Sequence, residues 1–359
     1  MNLTDHVTHK VFVSTWPCTY RSIGSKYDYL EEREAIIMTA LKPKKPSLVE
    51  FTRKYSNNDE ACYDYFWNSR YPDGFVCEKC GCTHYRKIRR HNVTECVECG
   101  HQHYLFAGTI FQDNKLPLYK LLLGLFLFFV SNKGISAIEM RSHLNVNYKT
   151  ALLLCRKCRI LMRDSGNTWK LDDMFYESDT AYIGSKSKEP GHKEMGTTKQ
   201  PFLAILSTGE ENKYPHYLKL FPILIDSSDN IKPYFQKAVV MSKDRLLNTD
   251  GKTTYNCLKK DLTVFNYHVD YSEKDHRLYW LNIVIGNIQN QITGIYHDVS
   301  KRDLPLFLAE QEYRFNHKFT GQEMIDKISS YLSSSYPCPK RAIISALNAA
   351  VARFAYACV

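Results

Sequence analysis

Two short cysteine motifs decide how the middle of this chain folds: Cys77-Glu-Lys-Cys80 and, fifteen residues later, Cys96-Val-Glu-Cys99. Each motif turns the backbone so that two thiolates face one point, and two such knuckles on facing hairpins complete a tetrahedron around Zn²⁺. The surrounding segment is too polar to build a core from unligated thiols. The spacing therefore predicts a zinc ribbon over residues 76–105 with Cys77, Cys80, Cys96 and Cys99 as ligands. Three other potential ligands lie close in sequence, although a symmetrical set of four cysteines needs none of them: Cys82, His101 and His103.

Between the knuckles, the segment His84-Tyr-Arg-Lys-Ile-Arg-Arg-His91 carries four formal positive charges and no acid. On a ribbon this segment would form a strand or its exposed tip, where cations can contact DNA phosphates. The alternative is a solvated edge strand that its charge protects from aggregation. We expect phosphate contact from four side chains: Arg86, Lys87, Arg89 and Arg90.

The composition supports a nucleic-acid partner for the front half of the chain. The 359 residues are 44% hydrophobic and 24% charged, which excludes a disordered tail protein and a small disulfide scaffold. Of the formal charge of +10, a surplus of eight falls in residues 1–165. The longest apolar run, Leu116–Val130, is shorter than the roughly 20 residues that cross a bilayer. We expect no membrane segment, no secretory signal and a reducing compartment, cytoplasmic in a bacterium or nuclear in a eukaryote.

The order of motifs predicts several domains. An N-terminal extension, 1–46, ends in a Lys/Pro-rich linker, and helical spacing covers residues 47–75 before the ribbon. A helical, DNA-binding region follows over 106–165. From residue 166 to 359 short apolar strands alternate with helical stretches, which is typical of an α/β domain.

Residues 134–154 have the pattern of a helix-turn-helix. Ser136 can cap the first helix, with Glu139 as its capping-box partner. We expect a small core from Ile138, Leu144, Val146, Ala151 and Leu152. The second helix would then present its first residues to base edges: Tyr148, Lys149 and Thr150. The alternative is a purely structural helical hairpin.

Two acids in the α/β half stand at the ends of strand-like runs. Asp179 lies in the run Phe175–Gly184, and Asp250 precedes Gly251. Carboxylates at the ends of adjacent strands can share divalent cations for phosphoryl transfer. An Asp before a Gly is, however, most often a turn residue.

A series of short matches in order resembles the zinc-ribbon insertion-sequence transposases, which are DDE-type enzymes related to the eukaryotic Merlin elements. The matches, over roughly residues 47–318, are Tyr71-Pro-Asp-Gly-Phe-Val-Cys77, the ribbon, Ala107-Gly-Thr-Ile-Phe111, Leu116-Pro-Leu118, Lys133-Gly-Ile-Ser136, Tyr148-Lys-Thr150, Asp179-Thr-Ala-Tyr-Ile-Gly184, Thr249-Asp-Gly251, Gly294-Ile-Tyr-His-Asp-Val-Ser300 and Tyr313-Arg-Phe-Asn-His317. The resemblance implies an RNase H-like catalytic domain that cleaves and joins DNA with Mg²⁺ or Mn²⁺. It also implies binding to double-stranded DNA at terminal inverted repeats, with a possible homo-oligomer on the DNA. Asp179 and Asp250 match the first two catalytic carboxylates.

The third catalytic position departs from the family pattern. Counting forward from Asp250 puts Ile285 where the family has an acid, whereas counting back from Tyr296 puts Asn282 there. Asn282 is therefore the candidate third ligand. Thr180 replaces the Glu that usually follows the first Asp, and Gln289 or Gln291 stands near a missing basic residue. Two functions follow: an active transposase, or a decayed or domesticated relative that only binds DNA.

Overall fold

The computed structural model describes residues 47–88, 93–166, 169–184, 199–209, 214–267, 278–297, 299–317, 335 and 337–356. The N-terminal extension with its linker lies outside these residues, as do Arg89 and Arg90 of the basic segment. The described residues belong to one compact unit, which begins at Lys44.

Two helices precede the ribbon, as the spacing predicts. Helix α1 spans Leu48–Tyr55 and α2 spans Asp59–Arg70. The Asn58 side chain caps α2 by accepting a hydrogen bond from the Ala61 amide at 3.0 Å. On α2, Trp67 stacks on Phe75, which leads into the ribbon, and this contact joins the helix to the first knuckle.

The ribbon is an antiparallel sheet of three short strands, β1 (Tyr85–Ile88), β2 (Val93–Cys96) and β3 (Gln102–Tyr104). It is tied to α2 by a 2.6 Å hydrogen bond between the hydroxyls of Tyr63 and Thr94. This bond is buried, so it fixes the ribbon against the helix without competition from water.

Three further helices follow the ribbon: α3 (Leu118–Val130), α4 (Ala137–Leu144) and α5 (Tyr148–Gly166). Helix α3 lies inside a large apolar cluster that α1, α2 and α5 share with it. Gly124 of α3 makes this packing possible, because a Cβ there would lie 2.6 Å from Leu154 and 3.1 Å from Leu144. Among the described residues, no helix is both long enough and apolar enough to cross a membrane.

A five-stranded mixed sheet forms the centre of the second half. Its strands are β4 (Phe175–Ile183), β5 (Gln200–Thr208), β6 (Pro215–Pro222), β7 (Leu246–Asp250) and β8 (Thr263–Tyr267). The spatial order is β6-β5-β4-β7-β8, with β4 antiparallel to β5 and parallel to β7. This order, with the helices described next, is consistent with an RNase H-like fold.

Helices cover both faces of this sheet. Helix α6 (Ser228–Ala238) packs on one face, and α7 (Tyr279–Gln291) and α8 (Leu304–Asn316) pack on the other. A last helix, α9, spans Lys340–Tyr356. The alternation of side chains along a strand assigns Tyr176 of β4 to the α6 face and Ala181 to the α7 face.

A buried ionic cluster joins the helical region to the α/β part. Glu310 of α8 is completely buried and accepts hydrogen bonds from Arg159 of α5 at 2.6 Å and from Arg314 at 2.7 Å. Arg314 also donates to the carbonyl of Phe128 at the end of α3. The two arginines hold the pKa of Glu310 below its usual value, against the opposing effect of burial. We name Arg159, Glu310 and Arg314 the interface cluster.

Candidate metal centres and nucleic-acid interface

The four ribbon cysteines converge as their spacing predicts. Their sulfur atoms all lie within 4.8 Å of one another. Cys77 Sγ is 3.6 Å from Cys99 Sγ, and Cys80 Sγ is 3.5 Å from Cys96 Sγ. These separations are too long for disulfides and close to the roughly 3.8 Å between sulfurs around a tetrahedral Zn²⁺. The cluster therefore indicates a structural zinc site.

Backbone amides of the knuckles favour the thiolate form of one cysteine in each knuckle. Cys96 accepts hydrogen bonds from the amides of Cys99 and Glu98, which lower the pKa of its thiol to about 6. Burial raises the pKa of Cys77, but the amides of Lys79 and Cys80 outweigh it and the pKa is lowered. At the other cysteine of each knuckle, Cys80 and Cys99, the backbone amides lower the pKa, but burial and the neighbouring thiols outweigh them and the pKa is raised. One cysteine in each knuckle therefore favours the thiolate, which is the metal-binding form.

Of the three rival ligands, His103 contacts a sulfur of the cluster. It is buried, and its Nε2 lies 3.4 Å from Cys77 Sγ. This distance fits a hydrogen bond to a ligating sulfur, and such outer partners orient metal ligands.

Acidic side chains from outside the basic segment of the ribbon partly neutralise its positive charge in the folded chain. Arg86 pairs with Glu95 on the neighbouring strand, and Lys87 pairs with Asp64 of α2. The Lys87 ammonium also lies 5.2 Å from the centre of the Tyr63 ring. Both described cations of the segment thus have acidic partners from elsewhere in the chain.

Helices α4 and α5 are joined by a short turn at Asn145, whose backbone is left-handed. Ser136 caps α4 as predicted, since its hydroxyl accepts from the Glu139 amide at 3.1 Å. The predicted core was wrong in two members: Ile138 is 66% exposed, and Leu152 lies outside the apolar cluster. The completely buried Met140 belongs to the cluster instead. A helical face repeats every three to four residues, and Met140 rather than Ile138 stands one turn before Leu144.

The predicted base-reading residues lie at the start of α5. Tyr148 and Lys149 are exposed and Thr150 is half-buried. The Asn147 side chain caps this helix by accepting from the Lys149 amide at 2.9 Å. Their exposure leaves these side chains available to a partner, and DNA recognition by them remains a proposal.

The sheet brings Asp179 and Asp250 together. Ser178 of β4 pairs with Thr249 of β7 in parallel register, so the next residue of each strand is an aspartate. Neighbouring strands lie about 4.8 Å apart, and residues in register project to the same face. Asp179 and Asp250 therefore lie side by side on the face that α7 covers. Their side chains are only 14% and 25% exposed.

A third carboxylate joins them that the sequence did not reveal. Asp226, between β6 and α6, lies with the other two around the ammonium of Lys252. The Lys252 Nζ is 2.8 Å from Asp179, 3.4 Å from Asp226 and 3.9 Å from Asp250. Burial would lower the pKa of Lys252, but Asp179 and Asp226 raise it well above its usual value. We name Asp179, Asp226 and Asp250 the acidic cluster.

One oxygen of the acidic cluster has no protein donor. Asp226 Oδ1 is enclosed and lacks a hydrogen-bond partner among the described residues. A buried carboxylate oxygen without a donor is costly unless something outside the protein, such as a cation, satisfies it. The donor set is made of carboxylate oxygens, which are the ligands that Mg²⁺ and Mn²⁺ prefer. The residues therefore fit a divalent cation.

The two candidates for the third position differ in their surroundings. Ile285 is buried in the apolar cluster between α7 and the sheet, where it packs with Ala181 and Leu281. Asn282 is half-buried on the same helix, and its amide nitrogen is enclosed without a hydrogen-bond partner among the described residues. Gln289 donates to the Tyr182 carbonyl at 3.0 Å, so it serves the packing of α7 on β4.

Two family models, each of a transposase domain, match this chain. A model described as "ISXO2-like transposase domain" matches residues 170–316, and a model described as "Transposase zinc-ribbon domain" matches residues 57–102. Together these matches cover more than half of the chain. The chain belongs to the zinc-ribbon insertion-sequence transposase family. No curated protein is significantly similar to it.

The first match places the acidic cluster of this transposase-family chain inside the transposase domain, and the second covers all four ribbon cysteines.

Sequence patterns missed Asp226 and Lys252 for different reasons. Asp226 lies in the segment Ile225-Asp-Ser-Ser-Asp229, which looks like an ordinary polar turn before a helix. Lys252, two residues after Asp250, could have been noticed as a cation beside a candidate catalytic acid.

Proposed function

We propose that this chain is a DNA transposase that cleaves and joins the ends of its element with Mg²⁺ or Mn²⁺. The observation that carries the proposal is the position of Asp179 and Asp250. Both stand where adjacent parallel strands place two carboxylates on one face, inside the region that matches a transposase domain. Divalent cations held there would activate a nucleophile and stabilise charge on the phosphodiester.

In this proposal Asp226 is a further ligand of the cation site. Its orphaned oxygen and its position beside Asp179 support that role. Asn282 is proposed as a neutral ligand, through its side-chain carbonyl. The Asn282 amide nitrogen is enclosed and has no hydrogen-bond acceptor among the described residues. Rotating the side-chain amide by 180° would put the carbonyl oxygen in that place, where it could accept or ligate instead of donating.

The ribbon and the helical pair are proposed to bind double-stranded DNA at the terminal inverted repeats. Arg86, Lys87, Arg89 and Arg90 would contact phosphates, and Tyr148, Lys149 and Thr150 would approach base edges. Since Arg86 and Lys87 already have acidic partners, we expect the larger share of affinity to come from the helical pair. A homo-oligomer on the DNA would bring two ends together for joining.

The catalytic proposal is tested by strand nicking of duplex DNA that carries the element's ends. We expect wild-type cleavage in Mg²⁺ or Mn²⁺, and loss of at least a hundredfold in Asp250→Asn with DNA affinity unchanged. Cleavage that survives in both Asp179→Asn and Asp250→Asn would contradict the assignment.

Asp226 has a matched control in Asp229, an exposed acid on the first turn of α6. Asp226→Asn should weaken Mn²⁺ binding, measured calorimetrically, by at least tenfold. Asp229→Asn should leave it unchanged, because that carboxylate lies outside the acidic cluster. Equal Mn²⁺ affinities in the two variants would exclude Asp226 as a ligand.

One observation favours a second candidate function, a DNA-binding protein that no longer cuts. The Lys252 ammonium lies among all three carboxylates and could itself neutralise them. If Lys252 replaces the metal permanently, the wild-type protein will bind DNA but will neither bind Mn²⁺ nor nick the DNA. The variant Lys252→Gln will then bind Mn²⁺ more tightly than the wild type does. If the active transposase is the correct function, wild-type protein binds Mn²⁺ and nicks DNA with Lys252 in place.

A further inference from the structure

 A cavity of about 380 Å³ lies beside α5. It shares no lining residue with the acidic cluster or the ribbon. Its walls come from four parts of the chain: the loop from Phe111 to Leu116, helix α3 at Leu121, helix α5, and the start of α9 at Lys340. Four lysines line it against a single acid, Asp113, which is exposed. The cavity is therefore strongly positive.

Lys157 of α5 is the unusual member of this lining. It is only 8% exposed, yet it makes no ion pair or hydrogen bond with any residue that the structure describes. Its ammonium lies 5.6 Å from the centre of the Phe111 ring, which also lines the cavity. Burial lowers the pKa of Lys157, and Cys338 and Asp113 oppose this only in part.

Arg159, two residues further along α5, shows how this fold otherwise treats a buried cation. Arg159 is 2% exposed and pairs with Glu310 in the interface cluster. A buried charge costs several kcal/mol unless a partner compensates it. Lys157 has no such partner in the described chain, but it has a cavity beside it. Its charge is therefore compensated by whatever fills the cavity, and an anion there would compensate it better than water does.

We propose that this cavity binds a phosphate group, with Lys157 as its buried anchor and Lys149, Lys115 and Lys340 around it. The apolar floor, which includes Phe111, Leu121 and Leu153, lowers the local dielectric constant and strengthens attraction to an anion. Lysine is a common point-charge ligand of phosphate.

The position of the cavity favours a phosphate of bound DNA as the occupant, and in this respect the inference rests on the proposed function. Lys149 lines the cavity and also stands among the proposed base-reading residues. Lys149, Leu153 and Lys157 succeed one another at four-residue steps, so they share one face of α5 over about 12 Å. A strand that reaches Lys149 can therefore place a phosphate near Lys157.

The test compares Lys157→Met with Arg163→Met, which removes an exposed cation of the same helix that pairs with Asp164. The first measurement is the thermal midpoint in inorganic phosphate against chloride at equal ionic strength. The second is the salt dependence of binding to element-end DNA. Each lost phosphate contact lowers the log–log slope by about 0.9.

We expect Lys157→Met to lose the phosphate-specific stabilisation, to lower the DNA slope by about 0.9, or both, while Arg163→Met changes neither. Loss in the first measurement alone identifies free phosphate as the occupant, and loss in the second alone identifies DNA. Lys157→Met that matches the wild type in both measurements would overturn the proposal. Wild-type protein that responds to phosphate but binds no DNA would contradict the proposed function and leave the pocket supported.

Discussion

The ribbon cysteines and the acidic cluster are two groups of anionic side chains that differ in where their positive charge comes from. Around the four cysteines, the described chain offers amide donors and His103 but no lysine or arginine in contact with a sulfur. The acidic cluster contains the ammonium of Lys252. We therefore expect the ribbon to need a foreign cation to fold, whereas the α/β part has a cation of its own.

The largest expected effect is removal of zinc from the ribbon. A chelator that strips the metal, or Cys77→Ser with Cys96→Ser, should cost the ribbon on the order of 10 kcal/mol, because binding energy there is folding energy. Zinc content by elemental analysis and ribbon protection by hydrogen exchange measure this. Protection of β4 and β7 should persist in the chelator. A protein without zinc that keeps a protected ribbon would break the comparison.

The interface cluster is the next test, since all of its charges come from the chain. Glu310→Gln leaves Arg159 and Arg314 with less compensation in a dry environment, and it should lower the free energy of unfolding by about 3–5 kcal/mol. Denaturant titration measures the loss, which no added metal should restore. Glu139→Gln, an exposed acid paired with His143, is the control and should stay within about 0.5 kcal/mol of wild type.

A weaker version of the same arrangement joins Asp303 to Arg156. Two 3.0 Å hydrogen bonds link them, and Asp303→Asn should cost about 1.5–3 kcal/mol at neutral pH. Burial raises the pKa of Asp303, but Arg156 and Ser300 outweigh it and the pKa is lowered. This stability is therefore present above the unfolded pKa of about 3.9 and is lost as pH falls through the folded value. The difference between wild type and variant should shrink in acid; a difference independent of pH would contradict it.

The two anionic groups also differ in how far the sequence predicts them. The cysteines act through local spacing, so the knuckles, the ribbon and its ligands could all be predicted from residues 77–99. The alternation of strands and helices predicted the α/β class. Sheet order and register, which decide that Asp179 lies beside Asp250, depend on pairings between residues about 70 positions apart along the chain. Asp226 and Lys252 enter the site only through that topology.

The smallest expected change in stability, and the sharpest test of the comparison, is Lys252→Met. Without the ammonium, three carboxylates face one another and repel, so the variant should lose on the order of 1 kcal/mol in a chelator. Added Mn²⁺ should stabilise the variant more than the wild type, because the cation no longer competes with Lys252. Lys260→Met, which removes an exposed lysine eight residues further along the chain, is the matched control and should respond as the wild type does. If Mn²⁺ stabilises wild type and Lys252→Met equally, the ammonium and the metal occupy different places, and the α/β part does not carry its own substitute for the ion.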